Sequence, residues 1–350
     1  MGERLVIYGA TGYTGKLVAA TAKAHKLNPL LSGRNGGKLL KVASSLGFEA
    51  QTASLTQPAA LDKLLSGARV VLNVAGPFNE TAAPLMEACL RNRVSYVDIT
   101  GEIEAIEAAA RLDGEARRVG ISLLPGFGFD VVASDCLATH VANRVEGPSR
   151  ISVAVSGVGM PSRGTARMIV SRLPEDTPVY RDSKIVLLPD PLTCAIDFGT
   201  GPREAVTLGV GDLTAVHMST GIPNIEVYFE ASAGLKKLVD FKQRHRWLYR
   251  KPFVQRWIAS KVERLPEGPT PSQRDRSSAV LLADAMAQNG THAVSRLVTP
   301  NPHTLTALTA IACTRAVMNG QAAPGFATPA KAFGADYILK FPGVKRTDLA

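Results

Sequence analysis

The feature that most constrains this chain is Leu5-Val-Ile-Tyr-Gly-Ala-Thr-Gly-Tyr-Thr-Gly15. The apolar run Leu5 to Tyr8 predicts a buried parallel strand that breaks at Gly9, and Lys16 to His25 then follows the apolar spacing of a helix. Gly9, Gly12 and Gly15 stand three apart across the junction. Gly9 suits the tight turn, Gly12 lets bare backbone approach a pyrophosphate, and Gly15 lets the helix pack closely on the strand. Ala10, Thr11, Tyr13 and Thr14 complete the loop, and the helix N-terminus offers N–H groups to phosphate. The placement between strand and helix gives the spacing its meaning, because loops elsewhere often carry spaced glycines.

A chain of 350 residues exceeds one ordinary core and predicts two domains. No apolar stretch reaches the roughly 18 residues of a membrane span. Leu5 to Tyr8 is too short for the core of a secretory signal. Cys89, Cys136, Cys194 and Cys313 are scattered, with neither metal-ligand spacing nor disulfide density, so reduced thiols, no metal and a cytoplasmic location are expected. The net charge of +10 is uneven. Between Lys236 and Arg264 stand ten Lys and Arg against Asp240 and Glu263, a local balance of +8. Charge confined to one segment argues for a local surface and against a nucleic-acid-binding protein.

The second strand is expected over Leu27 to Leu31, ending in Ser32-Gly-Arg-Asn35. A site for the 2′-hydroxyl of NAD would place an acid here; Arg34 stands there instead, and its guanidinium suits the 2′-phosphate of NADP. Helices over Gly37 to Leu46 and Pro58 to Leu65 flank a third strand, Phe48 to Thr52. The fourth strand exits through Asn73-Val-Ala-Gly-Pro-Phe78, where Ala75, Gly76 and Pro77 keep the loop small beside a cofactor. Thr81 to Arg91 is a helix, Ser95 to Ile99 a fifth strand leading to Thr100-Gly-Glu102, Ile103 to Val119 a helix, and Ile121 to Leu124 a sixth strand. This alternation predicts an α/β fold whose N-terminal part is a Rossmann-type, doubly wound parallel sheet with ligand loops at the strand C-termini.

After Asp130, which suits a helix cap, the rhythm changes. Strands are expected at Ile151 to Val158, Lys184 to Leu188, Ala205 to Leu208 and Ile225 to Ala231, with a helix at Gly164 to Leu173. Asn289-Gly290 predicts a hairpin between Ser278–Met286 and His292–Val298. The expected organisation is a dinucleotide-binding domain over 1–129, a second α/β domain with a mixed, largely antiparallel sheet over 130–300, and C-terminal helices over 301–350 that return to the first. The basic segment interleaves Leu238, Phe241, Trp247, Leu248, Phe253, Trp257 and Ile258 with its cations. Amphipathic helices packed on the second domain explain it, as does a docking face for an acidic carrier protein, an anionic substrate tail or a membrane surface.

Gly9-Ala-Thr-Gly-Tyr-Thr-Gly15, Gly33-Arg-Asn35, Asn73 to Phe78, Tyr96-Val-Asp-Ile-Thr-Gly-Glu102 and Gly126-Phe-Gly-Phe-Asp130 together resemble the saccharopine dehydrogenase-like NADP-binding oxidoreductases. Pro324-Gly-Phe-Ala-Thr-Pro-Ala-Lys-Ala-Phe-Gly334 looks like the tail of their trans-acting enoyl reductase branch. The resemblance implies a Rossmann domain, an α/β substrate domain that completes the active site, and NADP(H) as cofactor. One departure is visible: Thr299-Pro-Asn-Pro-His303 lacks the aromatic residue the resemblance implies there.

A hydride carrier brings the difficult chemistry and leaves the protein to aim it and manage a proton. Candidate proton donors are Tyr96, Asp98, Glu102 and Asp130, with His217 further out; candidate cofactor contacts are Gly9 to Gly15, Ser32 to Asn35, Asn73, Ala75 to Phe78 and Gly101. Each donor also has a plain structural role open to it. Tyr180 and Lys184 match a Tyr-x-x-x-Lys pair, but Pro174, Pro178 and the strand-like Lys184 to Leu188 deny it one helix face, so the match is chance. Three functions remain open: an NADPH-dependent reductase of an activated C=C bond in a lipid or natural-product intermediate, the substrate being a small molecule or a carrier-bound lipid or polyketide; an imine-reducing or amine-oxidising enzyme on an amino-acid-like substrate that would use Arg163, Arg167 and Arg172 for a carboxylate; and a non-enzymatic NADP sensor. A homodimer is open as well.

Overall fold

The computed structural model describes residues 3–172, 175–232, 234–237, 239 and 251–349. Its chain forms two units, Met1–Cys136 with Pro302–Phe341, and Leu137–Asn301 with Pro342–Ala350.

In the first unit, strands β1 (Arg4–Tyr8), β2 (Leu30–Gly33), β3 (Ala50–Thr52), β4 (Ala68–Asn73), β5 (Ser95–Asp98) and β6 (Ser122–Leu124) alternate with helices α1 (Tyr13–Ala24), α2 (Gly36–Leu46), α3 (Pro58–Leu65), α4 (Phe78–Asn92), α5 (Ile103–Arg111) and α6 (Asp113–Val119). Apolar runs such as Leu5 to Tyr8 are buried, as a strand covered on both sheet faces requires. Helix α7 (Phe129–Ala142) follows, in this unit as far as Cys136, and α12 (Pro302–Met318), β15 (Gly325–Phe326) and α13 (Pro329–Phe333) belong to it as well. All neighbours are parallel in the order β15-β6-β5-β4-β1-β2-β3. The order reverses between β1 and β4, and crevices for ligands form at such switch points.

Three local expectations shift. The second strand starts at Leu30, because Pro29 has no N–H for the ladder, and the later start brings Ser32 and Gly33 into it. Ile103 to Val119 is two helices broken at Leu112, which frees the Asp113 carboxylate to accept from the Phe326 N–H at 2.7 Å and from Arg117 at 2.9 Å. Asp130 lies inside the first turn of α7 and does not precede it as a cap.

The second unit carries a mixed sheet built on β7 (Pro148–Ser156), β12 (Asn224–Glu230), β13 (Ser278–Ala287) and β14 (His292–Pro300). Its order is β10-β11-β12-β7-β13-β14-β16, where β10 is Thr193–Asp197, β11 Pro202–Thr207 and β16 Lys345–Asp348. Only the β7–β12 pair is parallel along this path. Strict alternation along β13 puts Ala279, Leu281, Ala283 and Ala285 in the core. The hairpin turns at Gly290, whose φ of 86° favours glycine. The last strand departs from the helical C-terminus expected over 301–350. Asp348 Oδ1 accepts from Ser295 Oγ at 2.7 Å and lies 2.9 Å from His140 Nε2 and 3.3 Å from Arg144 Nη1, which fastens β16 to this sheet.

Helices α8 (Arg163–Arg172), α9 (Gly211–Thr220), α10 (Pro252–Glu263) and α11 (Pro271–Asp275) and the hairpin of β8 (Thr177–Arg181) and β9 (Lys184–Leu188) belong to the second unit. Tyr180 and Lys184 sit on the two arms of that hairpin, Tyr180 opposite Ile185, so they share no helix face. Leu173, Pro174 and, within the basic segment, Leu238, Asp240, Phe241, Trp247 and Leu248 lie outside the described residues.

Candidate cofactor site

Three strand exits are tied together at the switch point. Ser32 O accepts from the N–H of Gly9 at 2.9 Å and of Ala10 at 3.3 Å, and Tyr8 O accepts from the Val74 N–H at 2.8 Å. A Cβ on Gly9 would lie 2.7 Å from the backbone N of Ala75, so the loops after β1 and β4 meet at van der Waals range. A Cβ on Gly15 would lie 2.3 Å from Gly9 O, which is why the first turn of α1 can close over the loop. Gly12 differs: its Cβ would meet nothing nearer than Gly9 O at 3.8 Å, and the residue is exposed. Two glycines are thus required by the protein's own packing, whereas the third leaves an open backbone surface. Gly12 is also the N-cap of α1 with no side chain capping the helix, so the helix terminus is left for an anion.

At the end of β2, Ser32 is fully buried and its hydroxyl donates to Gln51 O at 2.8 Å, a duty within the protein. A Cβ on Gly33 would touch nothing within 4 Å, and Arg34 is exposed with no acid beside it in sequence. Asn35 accepts from the Lys38 N–H at 3.0 Å and caps α2. Thr11, Tyr13, Thr14, Ala75, Gly76, Pro77 and Gly101 keep partly or fully exposed surface on the same loops, whereas Ala10, Asn73 and Phe78 are buried. These features fit a dinucleotide phosphate chain with a 2′-phosphate at Arg34.

Three of the proposed proton donors turn out to build the loops. Tyr96 and Asp98 are wholly buried and Glu102 nearly so. Asn73 Nδ2 donates to Tyr96 Oη at 3.1 Å and to Thr81 Oγ1 at 3.2 Å, and its Oδ1 accepts from the Ala75 N–H at 3.0 Å. Tyr96 donates to Asp98 Oδ2 at 2.7 Å, while Asp98 Oδ1 accepts from the N–H groups of Thr100 at 2.9 Å and Gly126 at 2.8 Å. Burial pushes the Asp98 carboxyl up to about 6, with those N–H groups and the Tyr96 hydroxyl opposing the shift. Burial likewise raises the Tyr96 phenol, and the Asp98 charge adds to it. Both oxygens of Glu102 accept at 2.8 Å, from the N–H groups of Phe78 and Asn79, which holds the start of α4. Asp130 keeps a half-exposed side chain; its Oδ2 lies 3.7 Å from where a Cβ on Gly101 would stand. His217 is in the second unit, stacked 4.2 Å from Tyr180 with Nδ1 3.0 Å from Ile222 O.

The structure adds a residue that the sequence pattern undervalued. His303, in the stretch lacking the implied aromatic, sets its imidazole edge-on to Tyr13 of the glycine loop, with centroids 5.1 Å apart at 82°. The signal was available only as an aromatic-like ring in the right interval. Among the described residues no cluster of His, Cys, Asp and Glu is placed to hold a metal.

Comparison with known proteins places this geometry. Residues 5–124 match the model of the saccharopine dehydrogenase NADP-binding domain. A saccharopine dehydrogenase-like oxidoreductase of Bos taurus is 29% identical over 163 residues, 41% of this chain and 38% of its own. A trans-acting enoyl reductase of Mycobacterium leprae is 34% identical over 149 residues, 40% of this chain and 36% of its own. The matched region thus spans less than two fifths of either relative. The L-Glu-forming saccharopine dehydrogenase of Saccharomyces cerevisiae superposes over 100% of both chains with a TM-score of 0.65 at 14% identity, a likeness of fold. Through residues 5–124, the chain is thus similar to the saccharopine dehydrogenase NADP-binding domain.

Proposed function

We propose that this protein is an NADPH-dependent oxidoreductase that reduces an activated, enoyl-type C=C bond in a lipid or natural-product intermediate. The observation that carries the redox reading is the open backbone at Gly12 beside a closed Gly9 and Gly15, at the switch point of a parallel sheet. Bound NADPH supplies a hydride equivalent. The glycine loop and the N-terminus of α1 would hold its phosphates, Arg34 its 2′-phosphate, and the loops after β4 and β5 would shape the surface on which substrate is presented. The buried Asn73–Tyr96–Asp98 chain fixes those loops. To Asp130, whose carboxyl lies beside Gly101, we assign the proton that balances hydride addition to an enoyl group.

The enoyl reading is supported over the amino-acid reading by the arginines. Arg167 pairs with Glu263 through two contacts of 2.6 Å, Arg163 donates to Leu265 O at 3.0 Å, and Arg172 lies 3.5 Å from Gly209 O. The cations offered for a substrate carboxylate therefore have partners within their own unit. The similarity to trans-acting enoyl reductases favours the same choice. The test follows NADPH oxidation with an enoyl thioester, with an imine formed from a 2-oxo acid and an amine, and with neither. Oxidation is expected with the thioester; oxidation with the imine alone transfers the assignment, and tight binding without turnover makes the protein a sensor.

Two substitutions probe this reading. Arg34→Asp should weaken NADPH binding by at least about tenfold, ~1.4 kcal/mol, while sparing NADH, as measured by titration calorimetry. Unchanged NADPH affinity would remove Arg34 from the site. Asp130→Asn should lower kcat by about a hundredfold or more with the NADPH dissociation constant unchanged. A full kcat would assign the proton to another group.

A further inference from the structure

The described part of the basic segment is residues 236, 237, 239 and 251–264, most of it in α10; Lys236 pairs with Glu204, and the two sides of α10 do different things. On one side Val262 is buried, and the exposed Glu263 next to it takes the bidentate Arg167 of α8, so the helix is fastened to its own unit. Outward, Phe253 and Trp257 stand four residues apart, 66% and 61% exposed. Lys261 continues that stripe one turn on, its ammonium 5.4 Å from the Trp257 ring centroid. Lys251, Arg256 and Arg264 are exposed around it. Large rings left in water on a docked helix bring the structure no packing, and cations crowded beside them repel one another.

We propose that this outward face rests on an anionic lipid surface. Around α10, Lys251, Arg256, Lys261 and Arg264 stand against the acid Glu263 and supply attraction to acidic headgroups. Charge alone would suit an acidic protein equally well. The protruding rings decide between them: Trp and Phe beside Lys and Arg are the composition of a helix lying in the headgroup region, rings toward the acyl boundary and cations at the phosphates. The attachment is peripheral, since among the described residues no helix is long and apolar enough to cross a membrane. The inference is independent of the substrate assignment.

The test uses the full chain in co-sedimentation with vesicles of phosphatidylcholine alone and of phosphatidylcholine containing phosphatidylglycerol. Binding is expected to the second kind only, to weaken with added salt, and to fall by about tenfold or more in Phe253→Ser/Trp257→Ser and in Arg256→Glu/Lys261→Glu. Vesicles with brominated acyl chains should quench tryptophan fluorescence in the wild type, and the Trp257→Phe variant, which keeps Trp247, should show less quenching. NADPH binding, read in every variant, should stay at the wild-type level, which separates surface loss from misfolding. Equal binding to both vesicle kinds, or wild-type binding by both double variants, overturns the proposal. So does salt-sensitive binding to polyglutamate through these residues without vesicle binding, which would give the face to an acidic protein.

Discussion

Gly12→Val is expected to abolish NADPH binding and leave the fold standing, while Gly15→Val should damage both. Gly12 already has extended backbone, φ −74° and ψ 169°, a region that β-branched residues adopt readily, and its Cβ would meet no protein atom within 3.8 Å. The valine methyls would instead fill the space through which a pyrophosphate must approach bare backbone. A loss of at least about a hundredfold in affinity, ~2.8 kcal/mol, is expected by titration, with a melting temperature close to wild type. At Gly15 the new Cβ would stand 2.3 Å from Gly9 O and 2.9 Å from the Ala10 Cα, both backbone atoms that cannot swing aside. Overpacking of that kind costs about 1–3 kcal/mol and should show as an earlier thermal transition. Wild-type NADPH affinity in Gly12→Val would sink the phosphate-loop assignment.

The second large effect is expected at Asp98. Asp98→Ala strips the acceptor from the Tyr96 hydroxyl and from the N–H groups of Thr100 and Gly126, all buried. An orphaned buried donor costs about 1–3 kcal/mol, so a loss of ~3 kcal/mol or more should appear in denaturant unfolding. The loops it fixes carry the cofactor surface, so NADPH affinity should fall with stability. The pH dependence has a definite sign. The folded carboxyl is raised to about 6 from 3.8, so its contribution to stability is fully present below the lower value and is lost as pH rises through the upper. Measured against Asp98→Asn, the wild type should therefore gain relative stability on going from about pH 7 to about pH 4, by at most roughly 3 kcal/mol. A gap that widens toward neutral pH would mean that the carboxylate, not the acid, is the form the site holds best.

Much of the first unit was legible because each signal there is local. An apolar run buried on both faces, a glycine break and a helical period specify strand, turn and helix one after another, and the parallel order follows from the connections. The hairpin at Asn289-Gly290 was legible for the same reason, since its turn chemistry and its alternation lie side by side in sequence. Helix α9 was not, because Gly211 to Val216 are buried on every side and show no amphipathic period. Strand β10 alternates, but with polar and apolar residues on a half-exposed arm that a loop could equally carry.

The sequence by itself pointed to the cofactor: residues 5–124 match an NADP-binding domain, the glycine spacing marks a strand–turn–helix junction, and Arg34 stands where an NAD site would place an acid. It also brought Tyr96, Asp98, Glu102 and Asp130 forward as acids near the cofactor loops. Only the tertiary structure shows which groups the first three touch. Whether a carboxylate donates a proton or holds a loop depends on which N–H groups the neighbouring strands bring to it, and those come from residues far along the chain, such as Gly126 for Asp98 and Phe78 for Glu102. The same holds for Arg167, whose partner Glu263 lies 96 residues away in sequence. Residue type is written in the sequence, but the partner that completes a polar group is set by packing.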